Sequence, residues 1–151
     1  MPHNKGFTLL ELLLVVTILA ILASFSASSY RNYGKSVELD SVGKNIVYDL
    51  RQMRSRAAAG DTRRNWGAHF VNGVQDYYEL FSTPTNYADA GKTIVSSVYL
   101  PTTVKFTTPA ESANLDIIFA SIAATTNANS VIINSEGVTK TINVTASGTA
   151  Y

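Results

Sequence analysis

The hydrophobic and polar positions divide the chain into an apolar segment, an amphipathic segment and an alternating remainder. From Phe7 to Phe25 the sequence has 19 residues with one charged side chain, Glu11, and with neither glycine nor proline. A helix of that length extends roughly 28 Å, close to the thickness of a bilayer core. A carboxylate in such a segment is costly, so Glu11 is a candidate functional residue.

After Phe25 the spacing changes to that of an amphipathic helix. Proline is absent from His3 to Thr83, which allows one helix from Phe7 to about Ala59, and Gly60-Asp61 is a plausible stop. Apolar residues recur at three- and four-residue steps, and we expect this face to pack on a sheet. Its members are Leu39, Val42, Ile46, Leu50, Met53 and Ala57.

Beyond Asp61 the apolar positions alternate, and residues that favour strands predominate. Asn72-Gly73 and Ser135-Glu136-Gly137 each separate two strand-like runs, which predicts two hairpins. The fold class is therefore α+β: a long N-terminal helix packed on an antiparallel β-sheet. The predicted strands are Trp66–Val71, Asp76–Phe81, Ile94–Leu100, Val104–Thr107, Leu115–Ala120, Val131–Asn134 and Thr139–Thr145.

The cost of Glu11 would fall if a positive charge lay beside it. A cut between Gly6 and Phe7 would create an α-amine one helical turn from Glu11. The run Gly6-Phe7-Thr8-Leu9-Leu10-Glu11 resembles the class III signal of type IV pilins and type II secretion pseudopilins. The resemblance implies that a prepilin peptidase cuts after Gly6, that Phe7 becomes N-methylated, and that Glu11 aligns each subunit on its neighbour's N-terminus.

The N-terminal segment has two other interpretations. A secretory signal peptide would be cleaved near Ala27, but an acid in its apolar region is abnormal and the run is too long. A plain single-span anchor explains the length but not Glu11. The pilin-like signal accounts for both features.

The β-rich part resembles, less specifically, H-type minor pseudopilins and FimT- or FimU-type minor pilins. The resemblance rests on the helix end Leu50–Ala57, the Trp66-Gly67 strand, the Tyr77–Phe81 strand and the closing strands from Val131 to Val144. It implies a structural, minor subunit of a pilus or pseudopilus. The predicted parts are a leader (1–6), a transmembrane and assembly helix (7–29), an amphipathic helix (30–60) and a β-rich domain (61–151).

Cysteine is absent from the sequence, which excludes disulfides and thiolate metal sites.

Charge is distributed unevenly along the chain. Between Arg31 and Arg64 there are eight Lys and Arg against four Asp and Glu, whereas from Asn65 to Tyr151 there are three against six. A basic helix end could therefore pair with an acidic domain, within one chain or between chains.

The sequence shows no constellation of an enzyme. His3 lies in the leader, and His69 stands alone in a predicted strand, so we expect it to be a half-buried strand residue. The acids are scattered, and neither a phosphate-binding loop nor a calcium loop is evident. We therefore predict no catalytic activity, no cofactor and no metal.

The arginines near the helix end leave one alternative function open. Arg51, Arg54 and Arg56 could contact DNA in a minor pilin for natural transformation, since clustered arginines favour nucleic acid. Pairing of these arginines with nearby acids is the favoured interpretation, and DNA is not an expected partner.

The expected partners are other pilin or pseudopilin subunits, the prepilin peptidase and N-methyltransferase, the inner-membrane assembly platform and the membrane. The expected location is the bacterial inner membrane, with a cytoplasmic N-terminus and an extracytoplasmic domain, and then the filament.

Overall fold

The computed structural model describes residues 8–151, and it describes the side chains of all of these except 24–32. One α-helix, α1, runs from Leu9 to Ala58. Seven strands follow it in this part of the chain, as predicted, and all of their ends lie within two residues of the predicted ones. They are β1 (Asn65–Val71), β2 (Tyr77–Thr83), β3 (Thr93–Tyr99), β4 (Lys105–Thr108), β5 (Asn114–Phe119), β6 (Asn129–Ser135) and β7 (Val138–Val144).

The strands form two sheets, whereas the sequence pattern had indicated one. The first sheet has the order β3-β2-β1-β5 and the second has the order β4-β6-β7, and all the described pairings are antiparallel. Alternation predicts which residues are in strands, but it carries no information on which strands become neighbours. The α+β class itself is confirmed.

The chain divides into two compact units, residues 1–35 and residues 36–151. The second unit contains the hydrophobic core, to which the predicted helix face contributes Leu39, Ile46, Leu50, Met53 and Ala57. The core side of the first sheet adds Trp66, Ala68, Phe70, Tyr78, Ile117 and Phe119. The second sheet contributes Phe106, Val131, Ile133, Ile142 and Val144, and the core also includes Leu80, Leu100, Val104 and Ala150.

The ends of the elements follow the local sequence signals. At Gly60 the backbone has φ of 65°, a conformation that glycine adopts without a side-chain clash, and α1 has stopped two residues earlier. The predicted hairpin at Glu136-Gly137 is confirmed, with φ of 45° and 94° at its two central residues. The Asn72-Gly73 hairpin is also confirmed, although its loop extends from residue 72 to residue 76.

Among residues 8–151, no helix is at once long enough and apolar enough to cross a membrane. The predicted membrane segment, 7–29, starts at a residue outside the described set and includes the undescribed side chains of 24–29. The predicted domain boundaries stay predictions.

Candidate assembly site at the start of the helix

Thr8 and Glu11 close the first turn of α1 with reciprocal hydrogen bonds. The backbone N–H and the hydroxyl of Thr8 each donate to Oε2 of Glu11 at 3.0 Å. The N–H of Glu11 in turn lies 3.3 Å from the Thr8 hydroxyl oxygen. This is a capping box, in which the residue before the helix and the third helical residue satisfy each other's free N–H groups.

The capping box gives Glu11 a role that the sequence interpretation missed. The pattern Thr-x-x-Glu before an apolar run is a known signature of helix starts, so the signal was available in Thr8-Leu9-Leu10-Glu11. The carboxylate also lies at the helix N-terminus, where the helix dipole favours negative charge. Both effects reduce the cost of a carboxylate at the head of an apolar segment.

The turns that follow Glu11 expose a continuous apolar surface. Every large apolar side chain from Leu9 to Leu22 is between 46% and 82% exposed. Exposed apolar surface of this extent marks a region that lipid or another protein covers. The members of this apolar surface are Leu9, Leu10, Leu12, Leu13, Leu14, Val15, Val16, Ile18, Leu19, Ile21 and Leu22.

The predicted processing residues, Gly6 and Phe7, lie outside the described residues. The capping box involves Thr8 and Glu11 alone, so a cut between Gly6 and Phe7 would leave both of its partners in the mature chain. We refer to Thr8, Glu11 and the exposed apolar surface from Leu9 to Leu22 as the assembly site.

The three arginines of the DNA alternative do not form one group with free guanidinium faces. Arg51 donates two hydrogen bonds to the carbonyl oxygen of Ala150, from Nε at 3.1 Å and from Nη2 at 2.9 Å. Arg54 donates to the carbonyl of Ser147 at 3.2 Å, and the Arg56 guanidinium lies 4.8 Å from the centre of the Trp66 ring.

The expected pairing of these arginines with acids therefore needs correction. Arg51 and Arg54 bind backbone carbonyls near the C-terminus, because the last residues return beside β7 and turn their carbonyls toward α1. It is the acids of α1 that bind the β-rich part: Asp49 accepts a hydrogen bond from the Tyr78 hydroxyl at 2.6 Å, and Asp40 pairs with Lys140.

His69 is buried and has partners, whereas it was expected to be half-buried and alone. The residue is 6% exposed, its Nδ1 lies 2.5 Å from Oδ1 of Asp116, and the Tyr87 ring stacks on its imidazole with centroids 3.6 Å apart. Tyr87 also donates to Glu79 at 2.5 Å. Burial raises the pKa of Tyr87, and Glu79 raises it further. Through Tyr87, the cluster holds the segment between β2 and β3 against the sheet.

Two further polar residues connect the sheets, and the sequence interpretation missed both. The buried Asp76 carboxylate accepts from the N–H of Gly73 at 3.2 Å and from that of Phe106 at 2.6 Å. The buried Asn72 amide donates to the carbonyls of Phe106 and Pro109. Asn72 had been assigned to a turn, and Asp76 to the start of a strand. Their partners in the second sheet and the loop after β4 are 30 or more positions away, which local patterns do not reveal.

Comparison with known protein families gave one match. Residues 1–27 match the family model of the prokaryotic N-terminal methylation motif. No curated protein and no solved structure matched the chain.

The matched region contains the capping box and the whole of the exposed apolar surface. The motif supports processing by prepilin peptidase, N-methylation and filament assembly, and it implies anchoring in the inner membrane before assembly. The match is confined to residues 1–27, so it shows the N-terminal methylation motif and assigns no subtype.

Proposed function

We propose that this chain is a minor structural subunit of a type II secretion pseudopilus or a type IV pilus. Cleavage would occur between Gly6 and Phe7, Phe7 would be N-methylated, and residues 7–29 would hold the subunit in the inner membrane. The N-terminus would then be cytoplasmic and the β-rich domain extracytoplasmic. The proposed role is mechanical rather than catalytic.

One observation carries this proposal: a carboxylate held at the start of a helix whose following turns are apolar and exposed. Thr8 fixes the position of the Glu11 carboxylate through two hydrogen bonds of 3.0 Å. A carboxylate that is already oriented loses less side-chain entropy when it binds the N-terminal amine of a neighbouring subunit. The exposed apolar surface beside it would be buried against other helices as subunits leave the bilayer.

The test must separate the charge of Glu11 from its capping role. Glutamine at the third helical position still completes a capping box, but it carries no charge. We expect Glu11→Gln and Glu11→Ala to insert into the membrane normally and to enter filaments much less than wild type. The measurement is the ratio of filament-bound to membrane-bound subunit after shearing.

Both variants lose incorporation if the charge of Glu11 matters, whereas only Glu11→Ala loses it if capping alone matters. Wild-type incorporation of Glu11→Gln would overturn the proposed pairing with an amine and leave only helix capping. Thr8→Ala removes one of the two hydrogen bonds that orient the carboxylate and keeps the charge, so we expect it to lower incorporation less than Glu11→Gln does. Mass spectrometry of the mature chain tests processing separately, since the proposal requires an N-methylated Phe7 as the first residue.

The finer assignments need their own measurements. The abundance of the subunit in sheared filaments distinguishes a minor from a major subunit. The genes beside the coding sequence distinguish secretion from a pilus function.

The DNA-binding alternative has less support, because Arg51 and Arg54 already bind backbone carbonyls. A gel-shift titration of residues 31–151 against duplex DNA tests it. Salt-sensitive binding that is lost when Arg51, Arg54 and Arg56 are replaced would favour DNA uptake.

A further inference from the structure

Strand β3 leaves one edge of the first sheet open. Among the described strands it pairs with β2 alone, and six of its seven residues are exposed. Its sequence, Thr-Ile-Val-Ser-Ser-Val-Tyr, has neither charge nor proline. Proteins usually protect such edges with charged side chains or proline, since an open edge is a template for another strand.

The register shows which backbone groups lie on the open edge. The N–H of Leu100 donates to the carbonyl of Asp76 at 2.9 Å, so the backbone of Leu100 is directed toward β2. Direction alternates along an antiparallel strand, and therefore Val98 and Ser96 are also directed toward β2. The N–H and C=O groups of Ser97 and Tyr99 are directed away from it, toward the open edge.

The regular part of this edge is short. A register shift between Leu80 and Phe81 places a β-bulge at Val95, which interrupts the alternation before Ser96. Pro101 follows Leu100 and has no N–H to donate. Pairing in a regular ladder is thus confined to residues 96–100.

We propose that this edge pairs with β3 of a second copy of the chain, antiparallel and around a two-fold axis at Val98. Ser97 then lies opposite Tyr99 of the second copy, and Tyr99 opposite the second copy's Ser97. The outward groups of these residues form four hydrogen bonds across the axis. Because the axis passes through Val98, the core faces of the two sheets lie on the same side.

The side chains of β3 suit a symmetric partner. The two-fold axis brings Val98 opposite its own copy and the residues beside it opposite each other, and no like charges meet there because β3 has no charged residue. Val98, which packs partly buried against the core, would meet its own copy and extend that apolar contact. The opposite edge strand, β5, carries the charged residue Asp116 and is less suited to self-pairing.

This surface is distinct from the assembly site, and the proposal stands whether or not the proposed function is correct. Four hydrogen bonds and one valine pair make a small interface, so we expect a weak dimer that forms at high local concentration. Covalent trapping is therefore the appropriate measurement.

The absence of cysteine makes trapping specific, because every disulfide must involve an introduced residue. The test uses the full chain in detergent with a mild oxidant. In the proposed register, the two copies of Val98 form a non-hydrogen-bonded pair with Cα atoms about 4.5 Å apart, so cysteines introduced there lie within disulfide range. The two copies of Ser96 are about 13 Å apart along the strands, a distance that a disulfide does not span.

We expect Val98→Cys to give at least about tenfold more disulfide dimer than Ser96→Cys, because only the first pair meets the geometry. Adding Tyr99→Pro to Val98→Cys removes an outward N–H and should lower the dimer fraction severalfold. Equal trapping of Val98→Cys, Ser96→Cys and the fully exposed Val74→Cys would mean random collision and would overturn the proposal.

If Val98→Cys fails to fold, a second pair of cysteine variants tests the same register. A mixture of Ser97→Cys chains and Tyr99→Cys chains should form mixed dimers in preference to either homodimer, because the two positions are opposite each other. Absence of that preference overturns the two-fold register. A preference for dimers between cysteines on β3 and on β5 would instead show head-to-tail pairing and would also overturn it.

Discussion

Asp40 links α1 to β7 through two lysines. Lys140 of β7 pairs with its Oδ1, and Lys44, one helical turn along α1, lies 2.6 Å from its Oδ2. The hydrogen bond from Lys140 is the main reason that the pKa of Asp40 falls from 3.8 to about 2, and the bond from Lys44 is the second. Since the carboxylate is about half exposed, solvent weakens the contribution of these ion pairs to stability.

We predict that Lys140→Met raises the pKa of Asp40 toward 3.8, and more than Lys44→Met does. Because the folded-state pKa is depressed, the pairs stabilise the fold above about pH 4 and lose that effect as the pH falls toward about 2. NMR titration of the Asp40 carboxyl carbon measures both variants. An equal pKa in wild type and Lys140→Met would contradict the assigned cause.

The elements were the most predictable part of the molecule. The helix and the seven strands follow from periods of 3.6 and two in the apolar positions, and these periods are local properties of the chain. Strand β2 was predicted to start at Asp76, and it begins one residue later at Tyr77. Asp76 stays out of the strand because its carboxylate binds the N–H groups of Gly73 and Phe106.

Gly67 on β1 has a structural reason that its sequence context does not show. It lies opposite Ile118 of β5, and a Cβ atom there would stand 2.3 Å from the carbonyl oxygen of Ile117. That contact is with backbone, so β1 and β5 would have to separate.

We predict that Gly67→Ala destabilises the fold by about 1–3 kcal/mol, the usual cost of overpacking. Gly73→Ala is the matched control, because no atom lies within 4 Å of its added Cβ. It should change the free energy of unfolding by less than about 0.5 kcal/mol. Urea unfolding of both variants gives the comparison, and similar losses in the two would contradict the proposed clash.

At the scale of the whole molecule, core and exposed apolar surface belong to different parts of the chain. Among the side chains that the structure describes, every residue of the hydrophobic core lies at Leu39 or later, whereas the exposed apolar surface of the assembly site lies between Leu9 and Leu22. The first compact unit ends at Lys35. The exposed apolar surface and the part that holds the domain together can therefore be separated by truncation.

We predict that a chain beginning at Ser36 unfolds cooperatively, because it keeps the entire core. A chain beginning at Val47 is the control, since it lacks Leu39 and Ile46, and truncating one such buried side chain typically costs about 2–5 kcal/mol. Thermal melting followed by circular dichroism distinguishes them. A non-cooperative transition in the chain from Ser36 would show that residues before it are needed for folding.

The sequence by itself determined the helix, the strands, the two hairpins and the N-terminal motif, because each depends on residues close together along the chain. The tertiary structure alone decided the division into two sheets, the partners of Asn72, Asp76 and His69, and the binding of Arg51 and Arg54 to carbonyls. Those contacts join residues far apart in sequence, and their energies depend on burial and distance that no local pattern encodes. Glu11 belongs to both groups: its position in the motif predicted a role in assembly, and its hydrogen bonds to Thr8 added a role in starting the helix.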